Sequence, residues 1–221
     1  MSLNANKVAG GGNRAPVEPM DVGTYPARAV MLIDLGVQEQ RAFGDKKKPP
    51  MQDVMLTWEF VDEFLKNEEG EDILDKPRWL SERFPFHNIR AEKARSTLRI
   101  NAMDPEGEHG GDMTKCLSTP CMVTVTHNPN HKTGGVYENI ADVKPMRPKD
   151  AEKCAPLVNP TRVFDMDTPD LEVFNYLPEW IQGIVKGGLE YEGSKLWGML
   201  GGNADKGDES PEEMLDDENP Y

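Results

Sequence analysis

Apolar and polar positions alternate with a period of two through much of the central chain. Over residues 24–37 (TYPARAVMLIDLGV), Ala27, Ala29, Met31, Ile33 and Leu35 share one face, which predicts a long strand. Its other face mixes Arg28 and Asp34 with Val30 and Leu32. Residues 51–60 put Val54, Leu56, Trp58 and Phe60 on one face and Asp53, Thr57 and Glu59 on the other, a second strand. The polar loop RAFGDKKKPP joins the two. Residues 59–75 carry eight acids against Lys66 and read as an acidic loop.

A short strand is predicted over 78–84. The spacing of Ala94, Leu98 and Ala102 predicts a helix over 89–103. The Val- and Thr-rich stretch 121–127 and residues 136–143 read as strands, joined as a hairpin by NPNHKTGG. From 144 to 178 the chain is Pro-rich and irregular. Residues 177–185 read as a short helix with Pro178 near its first turn.

Five strands with one helix between the third and fourth are too closely spaced for a doubly wound sheet. The fold class expected is mainly β, a five-stranded OB-fold barrel with an irregular C-terminal arm. An unrelated small barrel or sandwich is the alternative. The expected organisation is a flexible N-terminus over 1–20, a domain over 21–185, a Gly-rich linker over 186–204 and a disordered acidic tail over 205–221.

Composition supports one folded core with polar ends: 221 residues, 37 % hydrophobic, mean hydropathy −0.64. The net charge is −14, and the tail DKGDESPEEMLDDENPY, with eight acids against Lys206, supplies about half of it. An acidic chain is a poor polyanion binder on average, so the local distribution of charge decides.

Positive charge is clustered. Arg41, Lys46, Lys47 and Lys48 face only Asp45 in the first loop. Lys76, Arg78, Arg83, Arg90, Lys93, Arg95 and Arg99 stand against Glu82 and Glu92, with Trp79, Phe84 and Phe86 interleaved. Cations that track phosphates beside rings that stack on bases are what single-stranded nucleic acid requires. The DNA-binding candidates are therefore Arg41, Lys46, Lys47, Lys48, Arg78, Arg83, Lys93, Arg95 and Lys132 for phosphates. Trp58, Trp79, Phe84, Phe86 and Tyr137 are the stacking candidates, with Trp58 the one expected in the core. The plainer reading makes the lysines a solvated loop and the rings core.

Other chemistry finds little footing. Cys116, Cys121, His127 and His131 have the wrong spacing for a zinc finger, and Cys121 shares a strand face with Val123 and Val125. A lone Asp165-x-Asp167 is a weak metal signal. There is no phosphate loop, nucleophile elbow or HExxH. Neither an enzyme nor a cofactor is expected. Three cysteines imply no disulfide framework, which points to the reducing cytoplasm. Neither a secretory signal nor a membrane span is seen. The C-terminal arm has two options, packing on the barrel or on a second copy in a homo-oligomer.

Several stretches carry a resemblance: GTYPARAVMLIDLGVQEQ, LTWEF, RWLSERFPF, KARSTLRINAMDP, PCMVTVTHN, GVYENIADVKP and LVNPTRVFD with VFNYLPEWIQGIV. Over residues 20–185 the chain resembles phage-encoded single-stranded DNA-binding proteins with an OB-fold and an acidic tail. Its ending, DDENPY, is similar to the Asp-Asp-x-x-Pro-Phe tip of bacterial single-stranded DNA-binding proteins, departing in Asn219 and Tyr221. The resemblance implies a replication, recombination and repair accessory in the host cytoplasm that coats single strands. It implies that Asp216, Asp217, Glu218, Pro220 and Tyr221 recruit a polymerase, primase or helicase, and that the tail competes with DNA for the cleft. The rival expectations are a protein-interaction or assembly module and, behind it, a metal-dependent nuclease.

Overall fold

Strand β1 (Gly23–Gln38) is apolar on both faces, and the rest of the chain is arranged around it. The computed structural model describes residues 18–202 apart from 43, 45, 46, 130, 132 and 133. On one side β1 pairs antiparallel with β2 (Met51–Lys66), which pairs with β3 (Asp72–Pro85). On its other side the first half of β1 pairs antiparallel with β4 (Pro120–Pro129), which continues into β5 (Val136–Pro145). A short β6 (Arg162–Phe164) runs parallel to Met31–Ile33. The fold is mainly β, with strand order β3-β2-β1-β4-β5 and β6 alongside β1.

The register of β1 against β2 shifts between Ala29 and Met31. A bulge of this kind changes which residues face which side. Ala27, Ala29 and Leu32 enter an inner core with Val54, Leu56, Trp58, Phe60, Phe84 and Val123. Val30, Met31, Ile33 and Leu35 enter an outer core with Met55. Helix α1 (Arg95–Met103) closes the inner core through Ile100, Ala102 and Met103.

The outer core is covered by the C-terminal arm, which is more regular than its prolines predict. After α2 (Pro148–Ala151) and β6 come α3 (Leu171–Tyr176), α4 (Glu179–Lys186) and α5 (Lys195–Met199). Phe164, Met166, Phe174, Leu177, Ile181, Val185 and Leu196 are all buried against the sheet. At roughly 1.5–3 kcal/mol per buried side chain, that interface is part of the fold and not a loose lid. The stretch read as a Gly-rich linker packs as well: Leu189 N–H donates to Val37 O at 2.9 Å and Leu196 is fully buried.

Among the described residues no ladder joins β3 to β5, so hydrogen bonding does not close the sheet. Side chains and the N-terminal segment span that seam instead. Arg78 on β3 meets Glu138 on β5 at 2.9 Å and donates to Glu18 O at 2.7 Å. Met20 N–H donates to Glu138 at 2.8 Å, a His127 ring nitrogen lies 2.7 Å from Met20 O, and the Met20 side chain enters the inner core. The flexibility expected over 1–20 is therefore corrected for residues 18–20, which are docked; residues 1–17 lie outside the described residues.

Two further expectations are corrected. The acidic loop of 59–75 shrinks to 67–71, because β2 runs on to Lys66 and β3 begins at Asp72. Its turn is built by Asn67, whose side-chain oxygen accepts from the Glu69 and Glu71 amides, and by Gly70 at φ +83. Ladder bonding needs no apolar side chains, so charged residues extend the hairpin beyond the core. The helix of 89–103 begins only at Arg95, after turns that include an Asn88 side-chain bond to Arg90 N–H. Its Leu98 is 48 % exposed, whereas Ser96, Arg99, Ile100 and Met103 face inward.

Candidate nucleic-acid interface

Two carboxylates on the β2–β3 hairpin organise the polar groups around them. Glu82 on β3 points inward and accepts from Trp58 Nε1 at 3.1 Å and from Arg99 at 2.7 and 2.9 Å. Glu59 on β2 points outward, is fully buried, and accepts from Trp79 Nε1 at 2.9 Å, Val158 N at 2.6 Å and Asn159 Nδ2 at 2.8 Å. Burying a carboxylate is costly without such donors. The first arrangement fastens α1 to the hairpin, and the second fastens the arm.

These bonds remove several sequence candidates from the surface. A base needs an open ring face, and Trp58 and Phe84 have none. Trp79 is half-buried, with its indole N–H tied beneath the arm. Phe86 is half-buried and lines a groove of about 280 Å³ with Asp34, Asp112, Asp165 and Asp167, carboxylates that repel phosphate. Arg78 is committed to the seam, and Arg83 pairs with Asp53 at 2.8 Å. Arg95 lies 3.8 Å from Glu82 but keeps about half its side chain exposed. Tyr137 on β5 is 54 % exposed. Lys46, Lys132 and the tail residues Asp216, Asp217, Glu218, Pro220 and Tyr221 lie outside the described residues.

The remaining cations converge. Register puts Gln38 opposite Met51 and Asp53 opposite Pro85, and Phe86 N–H donates to Gln52 O at 2.7 Å. The β1–β2 connection and the segment after β3 therefore leave the same end of the sheet. Among the described residues, exposed Arg41, Lys47, Lys48, Arg90, Lys93 and Arg95 belong to these two segments, against Glu39 and Glu92. His87, Arg90 and Lys93 line an open depression of about 510 Å³.

The opposite end is acidic. Asp62, Glu63, Glu68, Glu69, Glu71, Asp72 and Asp75 gather on the hairpin, with Lys66 and Lys76 the cations among them. Desolvation pushes Asp62 above the ordinary carboxylate range; desolvation, followed by the Asp62 charge, does the same to Glu63. The sixteen residues of β2 run between the two poles, a contour length of at most roughly 50 Å.

Sequence reasoning missed two exposed rings on the arm. Trp180 on α4 is 60 % exposed, and Tyr176 is half exposed beneath the Arg162 guanidinium at 3.8 Å. The signal was present: Ile181, Ile184 and Val185 form the apolar stripe of α4, and Trp180 falls outside it.

Other groups are occupied structurally. Burial pushes the Cys116 thiol up to about 11 and the Cys121 thiol to about 12, and the His127 ring is taken by Met20 O. Among the described residues, no group of three or more His, Cys, Asp or Glu is placed to hold a metal, and no helix is long and apolar enough to cross a membrane. Searches against protein-family models, curated proteins and solved structures found no match for this chain.

Proposed function

We propose that this chain binds single-stranded DNA without sequence preference, at the positive end of its β1–β2–β3 sheet. The observation that carries the reading is the convergence of two basic segments, 39–50 and 86–95, at one end of a chain whose net charge is −14. Acidic surfaces elsewhere repel a polyanion and leave that end as its point of approach. The strand order, the helix between β3 and β4 and the seam between β3 and β5 support an OB-fold plan, a family of barrels that holds oligonucleotides.

The covered outer face shifts the interface from the sheet surface to the strand-end loops. Arg41, Lys46, Lys47, Lys48, Arg90, Lys93 and Arg95 contact phosphates, and the protein coats the strand without turnover. The resemblance of the ending DDENPY extends the proposal. The protein serves phage DNA replication and recombination in the host cytoplasm, and its tail recruits a polymerase, primase or helicase.

The test is a titration of a labelled oligo-dT and a duplex of equal length, followed by anisotropy across a salt series. Single-strand binding that weakens with salt, with a slope of about −0.7 per phosphate contact, is the expected result. An absence of binding at low salt by both the intact chain and a form lacking residues 205–221 overturns the proposal and favours the interaction-module reading.

A further inference from the structure

We infer that Trp180 is a base-stacking platform of the DNA path, an inference that rests on the single-stranded DNA reading above. The chain has four tryptophans. Trp58 is fully buried and bonded to Glu82. Trp79 is bonded to Glu59 under the arm. Trp197 is half-buried, and Gly202 packs so tightly on its ring that a Cβ there would overlap it. Trp180 alone is largely open to solvent.

Its position suits a base. The last turn of α4 is anchored at the positive end: Gln38 Nε2 donates to Ile184 O at 3.1 Å, and Leu189 N–H donates to Val37 O. Trp180 lies one turn before Ile184, about 6 Å along the helix axis. Gly183, three residues on and on the same face, has open space where a side chain would stand, so the ring's flank is clear. An indole held on a packed helix offers a flat face with little further ordering cost, and every base has a face to match it. The cations of segments 39–50 and 86–95 hold the phosphates while the ring takes a base.

The experiment compares the wild-type chain with Trp180→Phe and Trp180→Ala. Binding is followed by anisotropy of labelled oligo-dT, and quenching by intrinsic fluorescence with unlabelled oligo-dT. Wild type is expected to bind with quenching. Trp180→Phe is expected to bind within about 3-fold of wild type and lose the quenching, because phenylalanine keeps a ring. Trp180→Ala is expected to bind roughly 5- to 140-fold more weakly, the range for losing one stacked base, with an unchanged melting temperature.

Wild-type quenching that persists in Trp180→Phe overturns the inference while leaving the DNA-binding reading intact. So does wild-type affinity in Trp180→Ala. Failure of the wild type itself to bind by anisotropy brings down both.

Discussion

Glu59 and Trp79 stand directly opposite each other across β2 and β3, and the indole N–H donates to the carboxylate at 2.9 Å. The same carboxylate holds Val158 and Asn159, so one side chain joins the hairpin to the arm a hundred residues later. Glu59→Ala leaves three partly buried donors without their acceptor. It is expected to cost about 2–4 kcal/mol in urea unfolding, with Glu59→Gln losing less. A loss under 0.5 kcal/mol for Glu59→Ala shows that the arm is held by its apolar contacts alone.

The inner counterpart gives a second test. Arg99→Met leaves the buried carboxylate of Glu82 with only the Trp58 N–H and the more distant Arg95, and is expected to destabilise by about 3 kcal/mol. Adding Glu82→Leu removes the stranded charge, so the double variant is expected to recover part of that loss. Additive costs in the double-mutant cycle contradict a coupled pair.

Charge reversal at the positive end separates binding from stability. Lys47→Glu and Lys93→Glu are expected to weaken oligo-dT binding and lower the salt slope by about 0.7 each. Both side chains are exposed, so melting temperatures stay within about 2 °C of wild type. Unchanged affinity in the pair moves the DNA path away from this end.

The acidic pole predicts a pH effect of defined sign. Asp62 and Glu63 ionise at higher pH in the folded chain than in the unfolded one. Their ionised forms therefore cost stability at neutral pH, and that cost disappears as pH falls through their raised values and below about 4. Asp62→Asn with Glu63→Gln is expected to raise the melting temperature at pH 7 and to match wild type near pH 3. A benefit that persists at pH 3 excludes relief of ionisation as its cause.

Alternation was a good guide where one strand face was apolar and the other polar. The face Val54, Leu56, Trp58 and Phe60 is the inner core face of β2 as the sequence indicates. It was a poor guide to β1, where the bulge after Ala29 switches the faces, so that Ala27 and Ala29 enter the inner core but Met31, Ile33 and Leu35 the outer one. The arm was misjudged because its prolines and glycines separate short elements that become regular only against the sheet. Candidate cations could be read from charge clustering, but their partners could not. Arg78, Arg83 and Arg99 face Glu138, Asp53 and Glu82 through pairings that no local pattern encodes.

The seam between β3 and β5 sets an order of events during synthesis. Met20 is made before its partner: Glu138, which accepts its amide, is added 118 residues later. At 5–20 residues per second that is a wait of roughly 6–24 s. Throughout it the free rims of β3 and the N-terminal segment are exposed to chaperones and to other nascent chains. Docking of residues 18–20 thus waits on a partner made more than a hundred residues later, and the seam closes only once β5 has formed.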